Sequence, residues 1–323
     1  YDPIKNLIGR GVLESVGIGL QLTPDDVAAR GNFCTVDENM LITDRRAGRI
    51  PTTKCAELVN KLKSITLPGV DTVVEAVQDY RFALILRAKG LSAQLSETDP
   101  QKTGLKPLPV KALAPEAQHT ADLVNEWIAR AREMLKDEKP ANMLTLRGWA
   151  KEPGLPSFAD IYQMRSAAIA VYPMYKGLAS LAGMTLIQGL HSLDEEVEAL
   201  KSNWANFDFF FVHYKYTDSR GEDGNFDGKA AEIEKVDAVI PRLLDLKPDV
   251  LIVTGDHSTP AVWKAHSWHP VPVLFYAPGL GRRNEVSGFG ETECLKGALG
   301  QFQATDLMPL AMAYAKRLNK FGA

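Results

Sequence analysis

Two short stretches, Thr254-Gly-Asp-His-Ser-Thr-Pro260 and Ala265-His-Ser-Trp-His-Pro-Val-Pro272, gather a carboxylate and three imidazoles close together in the chain. Hard oxygen donors mixed with imidazole nitrogens are the usual equipment for a divalent metal. A second polar group, Thr217-Asp218 with Gly221-Glu-Asp-Gly224, repeats the theme further upstream. Taken singly, each residue has a plainer reading: Asp218 as a turn former or helix cap, His266 as a satisfied histidine. Recurrence of Asp, Glu and His in both clusters is what points to a metal.

The flanking elements explain how the clusters are placed. Asp249-Val-Leu-Ile-Val253 is short and β-branched, the pattern of a strand covered on both faces within a parallel sheet. Gly255, Asp256 and His257 follow its carboxyl end, the edge where ligands bind in open α/β sheets. Phe207-Asp-Phe-Phe-Phe-Val212 reads as another strand, leading through His213 to Asp218. His213 reads either as support for a ligand or as a buried strand histidine.

The 323 residues are 45% hydrophobic and 24% charged, enough for two folded domains. Net charge is −3 with both signs interspersed, so neither a nucleic-acid stripe nor a membrane-binding basic face is expected. Cys34, Cys55 and Cys294 are odd in number and lack CxxC spacing, so a reducing cytoplasm is the expected compartment. No apolar run approaches a bilayer span, and no secretory leader pattern opens the chain. Tyr1 in place of Met predicts a preceding segment.

Residues 1–24, with Gly9, Gly11, Gly17 and Gly19, read as a loop and short helix, and Thr23-Pro-Asp-Asp26 opens a new unit. Strands are expected at 27–30 running into 32–36, and at 40–43, 81–87 and 142–147. Leu123, Val124, Trp127, Ile128, Ala131, Met134 and Leu135 predict an amphipathic helix capped by Thr120. Lys151-Glu-Pro-Gly-Leu-Pro-Ser157 reads as a domain linker. Beyond it, a strand or helix start is expected at 167–171, strands at 207–214, 249–253 and 271–276, and helices at 173–183, 227–246 and 305–318. Ile233, Val236, Ile240 and Leu244 form the apolar side of the 227–246 helix. The alternation argues a parallel α/β sheet. Neither GxGxxG after a strand nor GxxxxGK[ST] occurs, and no internal repeat is visible.

Together with Arg30-Gly-Asn-Phe33, Thr43-Asp-Arg-Arg-Ala-Gly-Arg49, Arg81-Phe82, Gly90-Leu-Ser92, Ser96-Glu-Thr-Asp-Pro100, Leu146-Arg-Gly148 and Tyr172-Pro-Met-Tyr-Lys-Gly177, the two clusters resemble the archaeal-type 2,3-bisphosphoglycerate-independent phosphoglycerate mutases of the alkaline phosphatase superfamily. The likeness runs the whole chain. It implies an α/β fold: an alkaline-phosphatase-like, mainly parallel sheet flanked by helices (1–24 and 153–323), with a smaller α/β domain (25–152) inserted to clamp the substrate. It implies two divalent ions (Mn, Mg, Co or Zn), one on Asp256 and His257, the other on Asp218 and His266, and a phosphoserine intermediate in the exchange of 3-phosphoglycerate and 2-phosphoglycerate in glycolysis and gluconeogenesis. The small-molecule phosphoglycerate would be the partner. Number of subunits is left open.

Two departures stand out. Many relatives carry His four positions after the residue matching Asp218, where this chain has Glu222; a carboxylate there still reaches the same ion and favours harder metals. The family's nucleophilic Ser and one further metal-binding Asp precede the position matching Tyr1, so the chain as given is expected to be catalytically incomplete. The segment Asp44-Arg45-Arg46 with Arg49 offers guanidinium forks for phosphate and carboxylate, with Asp44 beside them as a candidate and Arg30, Arg81 and Lys176 as further candidates; surface ion pairing or ordinary solvated charge is the alternative. His119 and His191 receive no role. Rival readings are a metal-dependent phosphatase or phosphopentomutase-like relative, and a truncated, non-catalytic metal-binding module.

Overall fold

The computed structural model describes residues 7–279 and 285–318. The chain divides into two compact units that part between Gln188 and Gly189.

In the first unit, α1 (Arg10–Gly17) precedes a five-stranded sheet built from β1 (Asp26–Val36), β2 (Ile42–Asp44), β3 (Asp71–Gln78), β4 (Arg81–Arg87) and β5 (Met143–Ala150), with α2 (Thr52–Leu62) before β3 and α3 (Gln118–Leu135) before β5. Every pairing in this sheet is antiparallel: β4 and β5 flank β1, β3 continues beyond β4, and β2 pairs with the end of β1. Residues 26–150, expected as part of a smaller α/β domain with no strand direction assigned, thus form an antiparallel sheet. Parallel strands need a crossover between them, whereas the β3–β4 connection is a tight turn at Asp79, which has a left-handed φ of 53°. β3 itself was not among the expected strands.

β1 is buried along almost its whole length and serves two faces. Val27, Ala29 and Phe33 join Phe82, Trp127, Leu58, Leu62 and Leu135 in the main core, so α2 and α3 cover that side. Ala28 and Ile85 face Val12 of α1 on the other. α1 lies so close to β1 that a Cβ at Gly11 would sit 2.5 Å from the Ala28 carbonyl oxygen. Gly9, Gly11 and Gly17 are thus points of close approach, whereas Gly19 is needed for its left-handed φ of 90°. Thr120 is not a cap: α3 begins two residues earlier, and the buried Thr120 hydroxyl accepts from the Ser92 amide at 2.9 Å.

Residues 151–157 carry no regular element. α4 (Phe158–Tyr162) starts on Ser157, whose hydroxyl accepts from the Asp160 amide, and β6 (Ser166–Ala170), α5 (Pro173–Leu181) and β7 (Thr185–Ile187) follow. β6 and β7 are parallel, with α5 as the crossover.

The second unit contains α6 (Leu193–Asn203), β8 (Phe209–His213), α7 (Tyr216–Glu222), α8 (Phe226–Leu244), β9 (Leu251–Thr254), β10 (Val273–Tyr276), α9 (Glu291–Cys294) and α10 (Leu307–Tyr314). β9 and β10 are antiparallel and half-buried, in place of the fully covered parallel strand expected at 249–253. The connection between them has no α-helix, so the chain turns back beside itself instead of crossing over. On α8 the buried positions are Glu232 and Val239, while Ile233 is exposed, so the expected apolar stripe is not the covered face. Among the described residues no helix is long and apolar enough to cross a membrane.

Candidate functional site

α7 is one of the elements that build the site in the second unit. It carries Asp218 in its first turn and Glu222 one turn on, so both carboxylates lie on the same side of the helix. Opposite it, the segments after β9 and before β10 are tied by an antiparallel bridge between Ser258 and Ser267, closed by the Ser267 amide on the Ser258 carbonyl at 2.9 Å. That register sets His266 across from Thr259. The rings of His257 and His266 stack at 3.8 Å between centroids.

Asp218, His257 and His266 each bring one donor atom into a group whose members lie within 4.8 Å of one another. Asp218 Oδ1 is 3.8 Å from His257 Nδ1 and 3.7 Å from His266 Nε2. Both separations are too long for hydrogen bonds, and the one between Asp218 and His266 is near the roughly 3.4 Å edge expected between ligands held at about 2.1 Å around a tetrahedral ion. By its donors and their spacing the group fits a divalent cation. Glu222 Oε1 stands 3.8 Å from His266 Nε2, and Asp256 Oδ2 stands 3.5 Å from His257 Nε2. All five residues expected to bind metal are therefore neighbours; Asp256, Glu222 and His266 are exposed, Asp218 and His257 half-buried.

Burial pushes the Asp218 carboxyl up, but hydrogen bonds from Lys215 and Thr259, with the charges of Lys215 and His257, outweigh it and hold the group below its ordinary value. A carboxylate kept ionised this way is ready to bind a cation. Burial drives the His213 imidazole down to about 4, against the pull of Asp256 and Asp218, while Lys215 and His257 add to the fall. His213 is thus neutral near pH 7 and belongs to the electrostatic surroundings of the cluster. Lys215, Thr259 and Lys229, whose Nζ donates to the Thr259 carbonyl, escaped sequence reasoning. Their signals were faint: Lys215 lies three residues before Asp218, and Thr259 two after His257.

The basic candidates fall in the first unit. Arg30 is buried, its Nη1 3.2 Å from Glu14 Oε1 and its Nε donating to Asn32 Oδ1 at 3.2 Å. Arg81, opposite Asn32 on β4, donates to the Tyr172 hydroxyl and to the Gln78 carbonyl. Glu14, only 3% exposed, has Oε2 buried without a hydrogen-bond partner. Burial raises its carboxyl, and the positive charges of Arg30, Arg81, Arg10 and Arg147 only partly offset this. Arg30 alone is within ion-pair reach of Glu14; Arg81 also faces Asp79 at 3.5 Å, and Arg147 faces Glu97 and Asp99 at 3.9 and 3.8 Å. Glu14 was missed; a lone acid in a Gly-rich apolar stretch gives no sign that β1 will supply its partner.

Arg45 is differently employed. Its fork is spent on Asp99, Nε to Oδ1 at 3.1 Å and Nη2 to Oδ2 at 2.7 Å. Asp44 accepts from the amides of Arg46 and Gly48, each at 2.7 Å, and so shapes the turn. Arg46 and Arg49 are exposed, and Lys176 is half-buried on α5.

Comparison with known proteins agrees in both sequence and fold. Residues 1–142 match the family model described as 2,3-bisphosphoglycerate-independent phosphoglycerate mutase. Probable enzymes of that name from Thermus thermophilus and Deinococcus radiodurans are 47% and 48% identical over all of this chain and 80% of their own length. A solved protein from Pyrococcus horikoshii matches with TM-score 0.83 at 27% identity, covering 100% of this chain and 82% of its own. The cofactor-independent phosphoglycerate mutase of Thermoplasma acidophilum matches at 0.69 and 28%, covering 98% and 83%. The chain belongs to the 2,3-bisphosphoglycerate-independent phosphoglycerate mutases, a family of isomerases.

Proposed function

We propose that the protein interconverts 3-phosphoglycerate and 2-phosphoglycerate with divalent cations held by Asp218, Glu222, Asp256, His257 and His266, in the cytoplasm as a step of glycolysis and gluconeogenesis. The observation that carries this reading is the convergence of Asp218, His257 and His266 within 4.8 Å in a chain of this family. Bound there, two such ions, Mn or Mg by the carboxylate-rich donor set, would neutralise a phosphoryl group and lower the pKa of a hydroxyl nucleophile. No residue of 1–323 is proposed as that nucleophile; a phosphoserine is the intermediate that the family likeness implies.

The chain's own residues have separate tasks in this reading. Asp256 with His257, and Asp218 with His266, form two donor pairs, with Glu222 beside the second. Lys215 and Thr259 hold Asp218 ionised and oriented. Arg30, beside Glu14, and Arg81 bind the anionic groups of the phosphoglycerate, joined by Lys176, Arg46 and Arg49. Arg45 contributes by way of Asp99, and Asp44 by shaping the turn. Residues 25–152 are the substrate-clamping insert, set in a core of the mainly parallel alkaline-phosphatase type.

The test is an assay of the intact, full-length protein with Mn(II) and 3-phosphoglycerate, following 2-phosphoglycerate and free phosphate together. Mutase product without added 2,3-bisphosphoglycerate supports the proposal. Free phosphate as the main product would favour a phosphatase, and turnover of a pentose phosphate alone would favour a phosphopentomutase-like enzyme.

A further inference from the structure

Thr259 is 3% exposed and sits between two of the candidate metal-binding residues. Its hydroxyl donates to Asp218 Oδ1 at 2.5 Å and lies 3.0 Å from His257 Nδ1. A threonine hydroxyl has one proton. The 2.5 Å separation is that of an O–H···O⁻ bond, so the proton is committed to the carboxylate. Toward the imidazole the oxygen has only lone pairs to offer, and the nitrogen facing it must be the one that carries hydrogen. Nδ1–H on His257 leaves the lone pair on Nε2, the atom 3.5 Å from Asp256 Oδ2.

The surroundings hold Thr259 to this position. Its backbone carbonyl accepts from Lys229 Nζ of α8 at 2.9 Å. A Cβ at Gly221 would lie 2.4 Å from the same carbonyl oxygen, so α7, which carries Asp218, is pressed against Thr259 at a point that tolerates only glycine. The neighbouring Ser258–Ser267 bridge fixes the segment from the other side.

We propose that Thr259 is a positioning residue that sets the Nδ1–H tautomer of His257, turning Nε2 toward Asp256 and thereby separating the donors into an Asp256–His257 pair and an Asp218–His266 pair. The inference rests on the metal-binding reading above, but the tautomer is a property of the metal-free protein. Hydrogen bonds that orient a ligating histidine through its other nitrogen are worth about 10- to 100-fold in metal affinity.

The experiment is long-range ¹H–¹⁵N correlation of the histidine rings in the metal-free protein at about pH 8, where an ordinary imidazole is neutral. His257 is assigned by the signals lost in His257→Gln. Nδ1–H in the wild type and in Thr259→Ser, with loss of that preference in Thr259→Val and a Mn(II) affinity weakened about 10- to 100-fold by calorimetry, supports the proposal. Nε2–H in the wild type overturns it, and this outcome is decisive even if Thr259→Val does not fold. An unchanged ring pattern and Mn(II) affinity in a folded Thr259→Val also overturns it. If the wild type binds no Mn(II), the metal-binding reading fails by itself, while the ring pattern still decides the tautomer.

Discussion

The two charged clusters of the molecule are built on opposite plans. In the second unit, carboxylates and imidazoles sit on one short helix and on the segments between two half-buried strands, with Asp256, Glu222 and His266 open to solvent. In the first, Arg30 and Glu14 meet between a helix and the central strand of a five-stranded sheet, where both are buried. The difference is one of partners. Glu14 and Arg30 face each other within the fold, so removing either strands the other. Asp218 and the two histidines stand beyond hydrogen-bond reach of one another, so on the proposed reading chemistry depends on them more than folding does.

Substitutions should separate these roles. Asp218→Ala removes the carboxylate that faces both His257 and His266, and is expected to lower mutase turnover by about 10³-fold, equivalent to roughly 4 kcal/mol, more than the stability lost with its bonds from Lys215 and Thr259. A large drop in stability with metal content intact would reverse the comparison. Glu14→Ala leaves Arg30 buried and unpaired, and is expected to cost about 3 kcal/mol or more in urea unfolding.

Protonation sharpens the contrast inside the first unit. Burial raises the Glu14 carboxyl, so its ionisation opposes folding, and stability falls as pH rises from the ordinary carboxylate range through the raised value. Asp99 has the opposite sign. Burial alone would raise it, but the hydrogen bonds from Arg45 and the Gln101 amide, with the charges of Arg45 and Arg147, bring it below its ordinary value. Its contribution is present above that ordinary value and is lost as pH falls through the lowered one. Urea unfolding should show the Glu14 slope, above the ordinary carboxylate range, disappear in Glu14→Gln, and the Asp99 slope, below its ordinary value, disappear in Asp99→Asn, with Asp99→Asn costing about 2 kcal/mol near pH 7. Glu222, exposed and on the margin of the cluster, should matter least: Glu222→Ala is expected to weaken Mn(II) binding by about tenfold, measured by calorimetry.

The same contrast explains what the sequence disclosed. Asp256 and His257 are adjacent in the chain, and Asp218 and Glu222 are one helical turn apart, so local clustering pointed to a metal, while the part given to each residue came from the family resemblance. Glu14 and Arg30 meet only because α1 packs on β1 through Gly11, a long-range event with no local trace. Thr120 shows a related failure. Its type suits a cap, but burial gave its hydroxyl to the Ser92 amide. Strand positions were mostly legible from apolar runs, whereas pairing direction was not: β9 and β10 run antiparallel because of the connection between them, which periodicity does not report. Arg45 was chosen for its fork, and the fork is occupied by Asp99, a partner 54 positions away.

Metal content compared between two proteins tests the cation centre most directly. Wild type and Asp218→Asn, dialysed to equilibrium against Mn(II) and analysed by elemental mass spectrometry, should differ: the wild type is predicted to retain Mn(II) in whole-number proportion to protein, and the variant to lose at least one equivalent. Equal retention in both, or none in the wild type, would contradict a cation centre at Asp218, His257 and His266.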